Sequence, residues 1–206
     1  HFTFVEECDA STLVAMRARL APEAERSGTR LTYLPFIIKA VADALRRHPM
    51  LNSAVDERTH ELVSKGYYNI GFAAATDAGL VVPVVHDADR LRLFEVAERV
   101  IQLSNAAREG SLEVSDLRDS TFTITSLGRQ SGLLATPILN PPEVGILGVH
   151  RIKERPVVRD GEVVVGRVML LSLSFDHRIV DGHVGAAFAY DVIGILEDPE
   201  RLCEYL

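Results

Sequence analysis

The sequence predicts an α/β fold, a two-layer sandwich in which helices pack on a mixed β-sheet. Three observations lead there. Stretches with apolar residues at helical spacing lie near the start, in the middle and near the end of the chain. Short β-rich runs fill the intervals. Four of those runs follow one another between residues 52 and 85, so the strict βα alternation of a doubly wound fold fails and a mixed sheet is expected.

Taken in order, His1 to Glu7 alternates loosely and suggests a strand. From Ala10 onward Leu13, Met16 and Leu20 recur at helical spacing, with Asp9 or Ser11 as candidate caps and Gly28 as a stop. Thr32 followed by Pro35 opens a second helix, whose broad apolar face is Phe36, Ile37, Ala40, Val41, Ala44 and Leu45, and His48-Pro49 ends it. Short strands are expected at Asn52 to Val55, Glu61 to Val63, Tyr68 to Ala75 and Leu80 to Val85, with Asp77-Ala78-Gly79 as a tight turn. A third helix is predicted from about Leu91 to Arg108, with Phe94, Ala97, Val100 and Ile101 inward. Thr121 to Thr125 is β-rich, Pro137 to Pro142 reads as a loop, and Val144 to Val149 is a further apolar run. Met169, Leu171, Leu173 and Phe175 alternate along a long strand that leads into Asp176-His177-Arg178. A last helix from about Asp181 to Leu196 uses Val184, Ala187, Phe188, Val192 and Ile195, and Asp198-Pro199 breaks it before an apolar tail, Leu202 to Leu206.

The 206 residues, 47% of them hydrophobic, suffice for one sizeable core and demand no second domain, so residues 1–206 are read as a single domain. The opening residues read as the inside of a strand, which makes a longer parent polypeptide the expectation. A formal net charge of -7 weighs against nucleic acid as partner, since phosphate binding needs concentrated basic surface. No stretch has the ~18 consecutive apolar residues of a membrane helix, and no membrane partner is expected. Cys8 and Cys203 are far apart and suggest a reducing, intracellular setting rather than a disulfide scaffold. His1, His48, His60, His86, His150 and His183 show no metal-ligand spacing, and no metal is expected.

Two segments could carry chemistry. In Ser172 to Gly182 an apolar strand runs into Asp176, His177 and Arg178, and Gly182 would permit a sharp entry into the following helix. Polar groups at a buried strand end are costly unless paired. One reading is an Asp176–Arg178 salt bridge beside an inert His177; the other makes His177 a general base. His183 is its only rival. In the second segment Thr121, Thr123 and Thr125 share one face of a strand that ends near Gly128. Ordinary β-propensity explains those threonines, and so does a hydroxyl fixed to stabilise an oxyanion.

These segments resemble the acyltransferase (E2) catalytic core of 2-oxo acid dehydrogenase complexes. The resemblance rests on Asp176-His177-Arg178-Ile179-Val180-Asp181-Gly182 and on Phe122-Thr123-Ile124-Thr125-Ser126-Leu127-Gly128. It extends to Leu31 to Phe36, Asn69-Ile70-Gly71, Gly79 to Val84 and Pro142 to Gly148, six segments in the family's order. It implies a chloramphenicol-acetyltransferase-like, trimer-forming fold and transfer of an acyl group between dihydrolipoamide and coenzyme A. His177 is then the general base and the Thr125 hydroxyl the oxyanion donor, with Ser126 able to share that duty. Asp181 would order the loop around the base, supported by Gly182, Asp176 and Arg178. The family usually has serine at the position of Thr125, and its basic partner for the motif aspartate lies upstream of His1.

The resemblance also implies homotrimers with active sites between subunits, assembled into a 24-mer or 60-mer core. The tail Leu202 to Leu206 would bridge trimers. The lipoyl group, and the domains that recruit E1 decarboxylase and E3 dihydrolipoamide dehydrogenase, would lie upstream of these residues. His1-Phe2, Leu20-Ala21-Pro22 and Pro49 to Glu57 look closer to branched-chain members, so branched-chain transfer is expected first, with acetyl transfer or an inactive structural core as alternatives. A free-standing acetyltransferase of the chloramphenicol type is a further rival. The expected setting is the cytoplasm of a prokaryote or the mitochondrial matrix of a eukaryote.

Overall fold

The computed structural model describes residues 1–56, 58–126, 128 and 132–205, with side chains as far as residue 202. Glu57, Leu127, Leu206 and the side chain of Cys203, all named above, lie outside the described residues.

Four helices form where apolar spacing places them. α1 is Ser11–Arg26 and buries Leu13, Met16, Leu20 and Ala24. α2 is Leu34–Arg47, begun by a proline whose missing N–H costs nothing in a first turn, and it is buried on most sides. α3 is Leu93–Glu109; the Glu95 carboxylate accepts from the Arg92 backbone N–H at its start, and Gly110, at φ 69, takes the left-handed conformation at its end. α4 is Gly182–Glu197, with Asp181 in extended conformation at its N-cap.

The main sheet is mixed, as expected. Its strands are β1 (Phe2–Asp9), β4 (Ile70–Phe72), β7 (Val84–Val85), β8 (Phe122–Thr125), β9 (Gly145–Val149), β10 (Lys153–Arg159) and β11 (Glu162–Phe175). They run in the order β1-β11-β9-β8-β4-β7, and β10 also pairs with β11. β8 is parallel to both β4 and β9, and the other pairings are antiparallel. Two small hairpins, β2 (Ser53–Asp56) with β3 (Glu61–Ser64) and β5 (Ala74–Thr76) with β6 (Gly79–Val81), stand apart from it.

Two expected strands are therefore broken. The run Tyr68 to Ala75 leaves the main sheet at Ala73, whose N–H bonds the Ile124 carbonyl, and continues as β5. Leu80 to Val85 divides around Pro83, which has no N–H to give a ladder. The β10–β11 hairpin went unanticipated, and the strand expected from Met169 begins at Glu162. Its local signal is Asp160-Gly161, both at positive φ (52° and 82°), between valine-rich runs. Val163 and Val165 are each 73% exposed, so no apolar-in, polar-out alternation marks the strand.

Pleating gives the sheet two unlike faces. Phe4, Leu173, Leu147, Ile124 and Phe72 stand in one cross-strand row and join the core shared with the helices. The opposite face carries Thr3, Ser174, Ile146, Thr123 and Gly71 in one row and Ser172, Gly148 and Thr125 in the next.

Lys39 is buried inside α2, 1% exposed, and its ammonium donates to the carbonyls of Ala88 (2.9 Å), Asp89 (3.0 Å) and Leu91 (2.6 Å). This ties α2 to the segment leading into α3. Lys39→Met leaves those three acceptors without their charged donor and is expected to cost about 3 kcal/mol in chemical denaturation. Burial also pushes the ammonium down to about 8, from 10.5. The folded state thus sheds this proton before the unfolded state does, and the unfolded state binds more protons between those pH values. Wild-type stability should rise relative to Lys39→Met as pH climbs from about 8 towards 10.5.

Candidate active site

β11 delivers the first cluster. Its last residue, Phe175, pairs with Gly145, and the Asp176 N–H bonds the Val144 carbonyl. The Asp176 carbonyl then accepts from Ile179 and Val180 N–H, both at 3.0 Å, folding residues 176–180 into a turn that presents His177 and Arg178 to solvent. Arg178 grips the Asp176 carboxylate through Nε (3.0 and 3.1 Å) and Nη2 (2.6 Å). The Arg178 guanidinium and backbone N–H hold that carboxyl below its usual range. The Asp176–Arg178 salt bridge foreseen in the sequence is therefore present.

His177 is not part of it. Among the described residues its imidazole makes no hydrogen bond and meets two aromatic rings instead: Phe2 edge-on at 5.4 Å and Phe175 tilted at 5.9 Å. A cavity of about 450 Å³ opens beside it, lined also by His1, Leu139, Asp176 and Arg178. The ring is thus exposed, oriented by apolar contacts and flanked by space for a substrate. His183, the rival base, is exposed in the first turn of α4.

Asp181 is exposed at the α4 N-cap, where its carbonyl accepts from Val184 and Gly185 N–H and its negative charge suits the helix terminus. No basic side chain pairs with it among the described residues. Gly182 requires a correction. Its φ is not positive and nothing lies within 4 Å of where a Cβ would stand, so neither a sharp turn nor close packing needs a glycine there. The packing glycine is Gly185, whose Cβ would stand 2.3 Å from Phe175 Cε1. Of the tail, Leu202 is 2% exposed and packed in this chain's own core, and the side chains of residues 203–206 lie outside the described residues.

The second cluster lies elsewhere. Thr125 closes β8, half-buried, with its hydroxyl making no hydrogen bond among the described residues. The neighbouring Ser126 oxygen accepts from the Gly128 N–H at 3.2 Å. A cavity of about 880 Å³ near the end of β8 is lined by Ile124, Ser126, Gly128, His150 and Tyr33, among others; Thr125 is not part of its lining, and it shares no lining residue with the one at His177. His150 joins the Ser172 hydroxyl at 2.9 Å, and burial lowers its imidazole below the ordinary histidine range.

Register fixes how far apart the two clusters stand. Thr125 pairs with Gly148, which pairs with Ser172, whereas His177 lies two residues beyond Phe175. Three residues along β11 and two strand spacings separate Thr125 from Phe175, about 14 Å between Cα atoms at ~3.3 Å per residue and ~4.8 Å per strand. They also occupy opposite faces: Phe175 packs on α4, and Thr125 faces away. One chain therefore does not bring Thr125 and His177 onto the same reacting atom.

Sequence reasoning missed the rings of Phe2 and Phe175 about His177; their alternation with Thr3 and Ser174 was legible, their contact with the imidazole was not. It also missed Glu143, 5% exposed beneath the loop that borders Asp176. Its carboxyl accepts from Ser120 and from Asn140 (3.1 Å), and burial pushes it up against those bonds.

Comparison with known proteins bears directly on this arrangement. Residues 1–204 match the model of the 2-oxoacid dehydrogenases acyltransferase family (catalytic domain). The dihydrolipoyllysine-residue acetyltransferase component of the Bacillus subtilis pyruvate dehydrogenase complex is 44% identical over 202 residues. That match takes in 98% of this chain but only 46% of the relative, so the chain spans about half the relative's length. Two solved structures superpose with a TM-score of 0.93 at 36% identity, covering 98% of this chain and 83% of each of theirs. One concerns a serine, a histidine and an asparagine in the catalytic mechanism of Azotobacter vinelandii dihydrolipoamide acetyltransferase, and the other is the cubic core of the pyruvate dehydrogenase multienzyme complex. Chloramphenicol acetyltransferase, at 16% identity and TM-score 0.59, shares the fold, as the sequence led one to expect.

Proposed function

The chain belongs to the 2-oxoacid dehydrogenase acyltransferase family, and from that premise we propose that it moves an acyl group between dihydrolipoamide and coenzyme A at sites built by two copies of itself. His177 takes the proton from the attacking thiol. The thiolate adds to the thioester carbonyl, and the Thr125 hydroxyl of a neighbouring copy donates to the oxyanion that forms. The carbon–sulfur bond of the departing thiol then breaks, and His177 returns the proton to that sulfur.

The observation that carries this reading is the separation of the two residues by strand register, together with their intervals in the chain. Thr125 lies 52 residues before His177 (177 minus 125), and Asp181 lies four after it (181 minus 177). The serine, histidine and asparagine of the Azotobacter enzyme stand at the same intervals. Threonine keeps the hydroxyl of that serine, and aspartate replaces the asparagine with a charged carboxylate at the head of α4.

Acetyl takes precedence over the branched-chain acyl group expected from the outer segments, because the curated relative cited above is a component of a pyruvate dehydrogenase complex. Trimers stacked into a cubic core are the assembly favoured by the structural likeness, with E1 and E3 as partners recruited through other parts of a longer chain. Steady-state transfer from acetyl-, isobutyryl- and succinyl-CoA to dihydrolipoamide tests the reading. Acetyl-CoA should show kcat/KM about tenfold or more above isobutyryl-CoA, the scale on which a pocket separates acyl groups differing by a few carbons. Preference for isobutyryl-CoA would restore the branched-chain assignment, and no turnover by an intact assembly would leave a structural core.

A further inference from the structure

We propose that Phe2 is a positioning residue for His177, one wall of an aromatic clamp that holds the imidazole in the orientation its chemistry requires. This rests on the reading of His177 as the general base. A base must present one ring nitrogen along a defined line, and misplacement by ~1 Å can cost about 10²-fold in rate. Carboxylates or carbonyls often fix such a ring, but among the described residues none is hydrogen-bonded to His177.

Three aromatic groups do the work instead. Phe2 and Phe175 are cross-strand partners on β1 and β11, with ring centroids 5.5 Å apart. His177 sits against both, nearly perpendicular to Phe2 (70°) and tilted to Phe175 (32°). Phe175 is anchored: it is fully buried, and it occupies the space over Gly185 on α4 that any larger residue there would fill. Phe2 is 45% exposed, so burial alone does not account for a phenylalanine at this place. The contact it offers the imidazole does. β1 is held to β11 over eight paired residues, and the Thr3 and Ser174 hydroxyls are joined at 2.8 Å beside the clamp, so the ring of Phe2 is delivered from a fixed backbone.

The experiment compares Phe2→Ala, Phe2→Leu and Phe2→Tyr in the assembled protein, with His177→Ala alongside, by steady-state acetyl transfer across pH. Phe2→Ala and Phe2→Leu should lower kcat about tenfold with KM for coenzyme A within about twofold. The acid limb of their pH–rate profile should move, because the surroundings of the imidazole change. Phe2→Tyr keeps a ring and should retain most of the rate and the wild-type limb. A wild-type kcat and limb in Phe2→Leu would overturn the proposal, as would equal losses in the tyrosine and leucine variants. Full activity in His177→Ala would instead remove the base on which the proposal depends, which separates that failure from a failure of Phe2.

Discussion

Replacing His177 with alanine is expected to lower the maximal rate of acyl transfer by about 10²–10⁴-fold, the range general acid–base catalysis contributes. The assembly should survive, because the side chain is exposed at the tip of a turn and makes no hydrogen bond among the described residues. The turn itself is built by backbone bonds to the Asp176 carbonyl and by the Asp176–Arg178 pair. A thiol ionises with modest help, so the residual rate should climb with pH as the coenzyme A thiol deprotonates unaided. The checks are the rate across pH and the particle size by light scattering. A variant that keeps both size and rate would return His177 to the inert role that the sequence left open.

Thr125→Ala should lower the maximal rate by about 10²–10³-fold, the scale for removing one oxyanion donor, with little change in KM for coenzyme A. In the proposed mechanism the hydroxyl donates to charge that exists only in the tetrahedral intermediate, so ground-state binding should not feel its loss. Thr125→Ser keeps the donor and should retain most of the rate. An unchanged rate in Thr125→Ala would remove the residue from the mechanism.

Much of the fold was legible because it is written in local periodicity. The four helices follow from apolar spacing and from Gly28, Pro35 and the Asp198-Pro199 break, and the mixed sheet follows from successive short strands. Where the expectation failed, the deciding physics was not local. Val163 and Val165 on β11 stay exposed where composition alone would bury them. Gly182 and Gly185 show the same limit: both lie early in α4, and only the tertiary position of Phe175 reveals which of them must lack a side chain.

The site divides in the same way. His177 and Thr125 stand out as residue types at strand ends, and the Asp176–Arg178 pair is foreseeable from spacing two apart. The aromatic clamp on His177, the buried Glu143 and the carbonyl-bound Lys39 depend on segments that meet only after folding. The separation of Thr125 from His177 follows from register across β8, β9 and β11, which no single segment encodes.

Subunit mixing tests most directly whether one active site is shared between two chains. His177→Ala and Thr125→Ala proteins, each nearly inactive alone, are dissociated, combined in equal amounts and reassembled, and acetyl transfer is measured. If the base and the oxyanion donor come from different copies, random mixing restores both intact residues at about a quarter of the interfaces, and activity returns to about that fraction of wild type. If both residues served from one chain, every mixed site would lack one of them. Activity that stayed at the level of the parent variants in a well-mixed assembly would contradict the shared site.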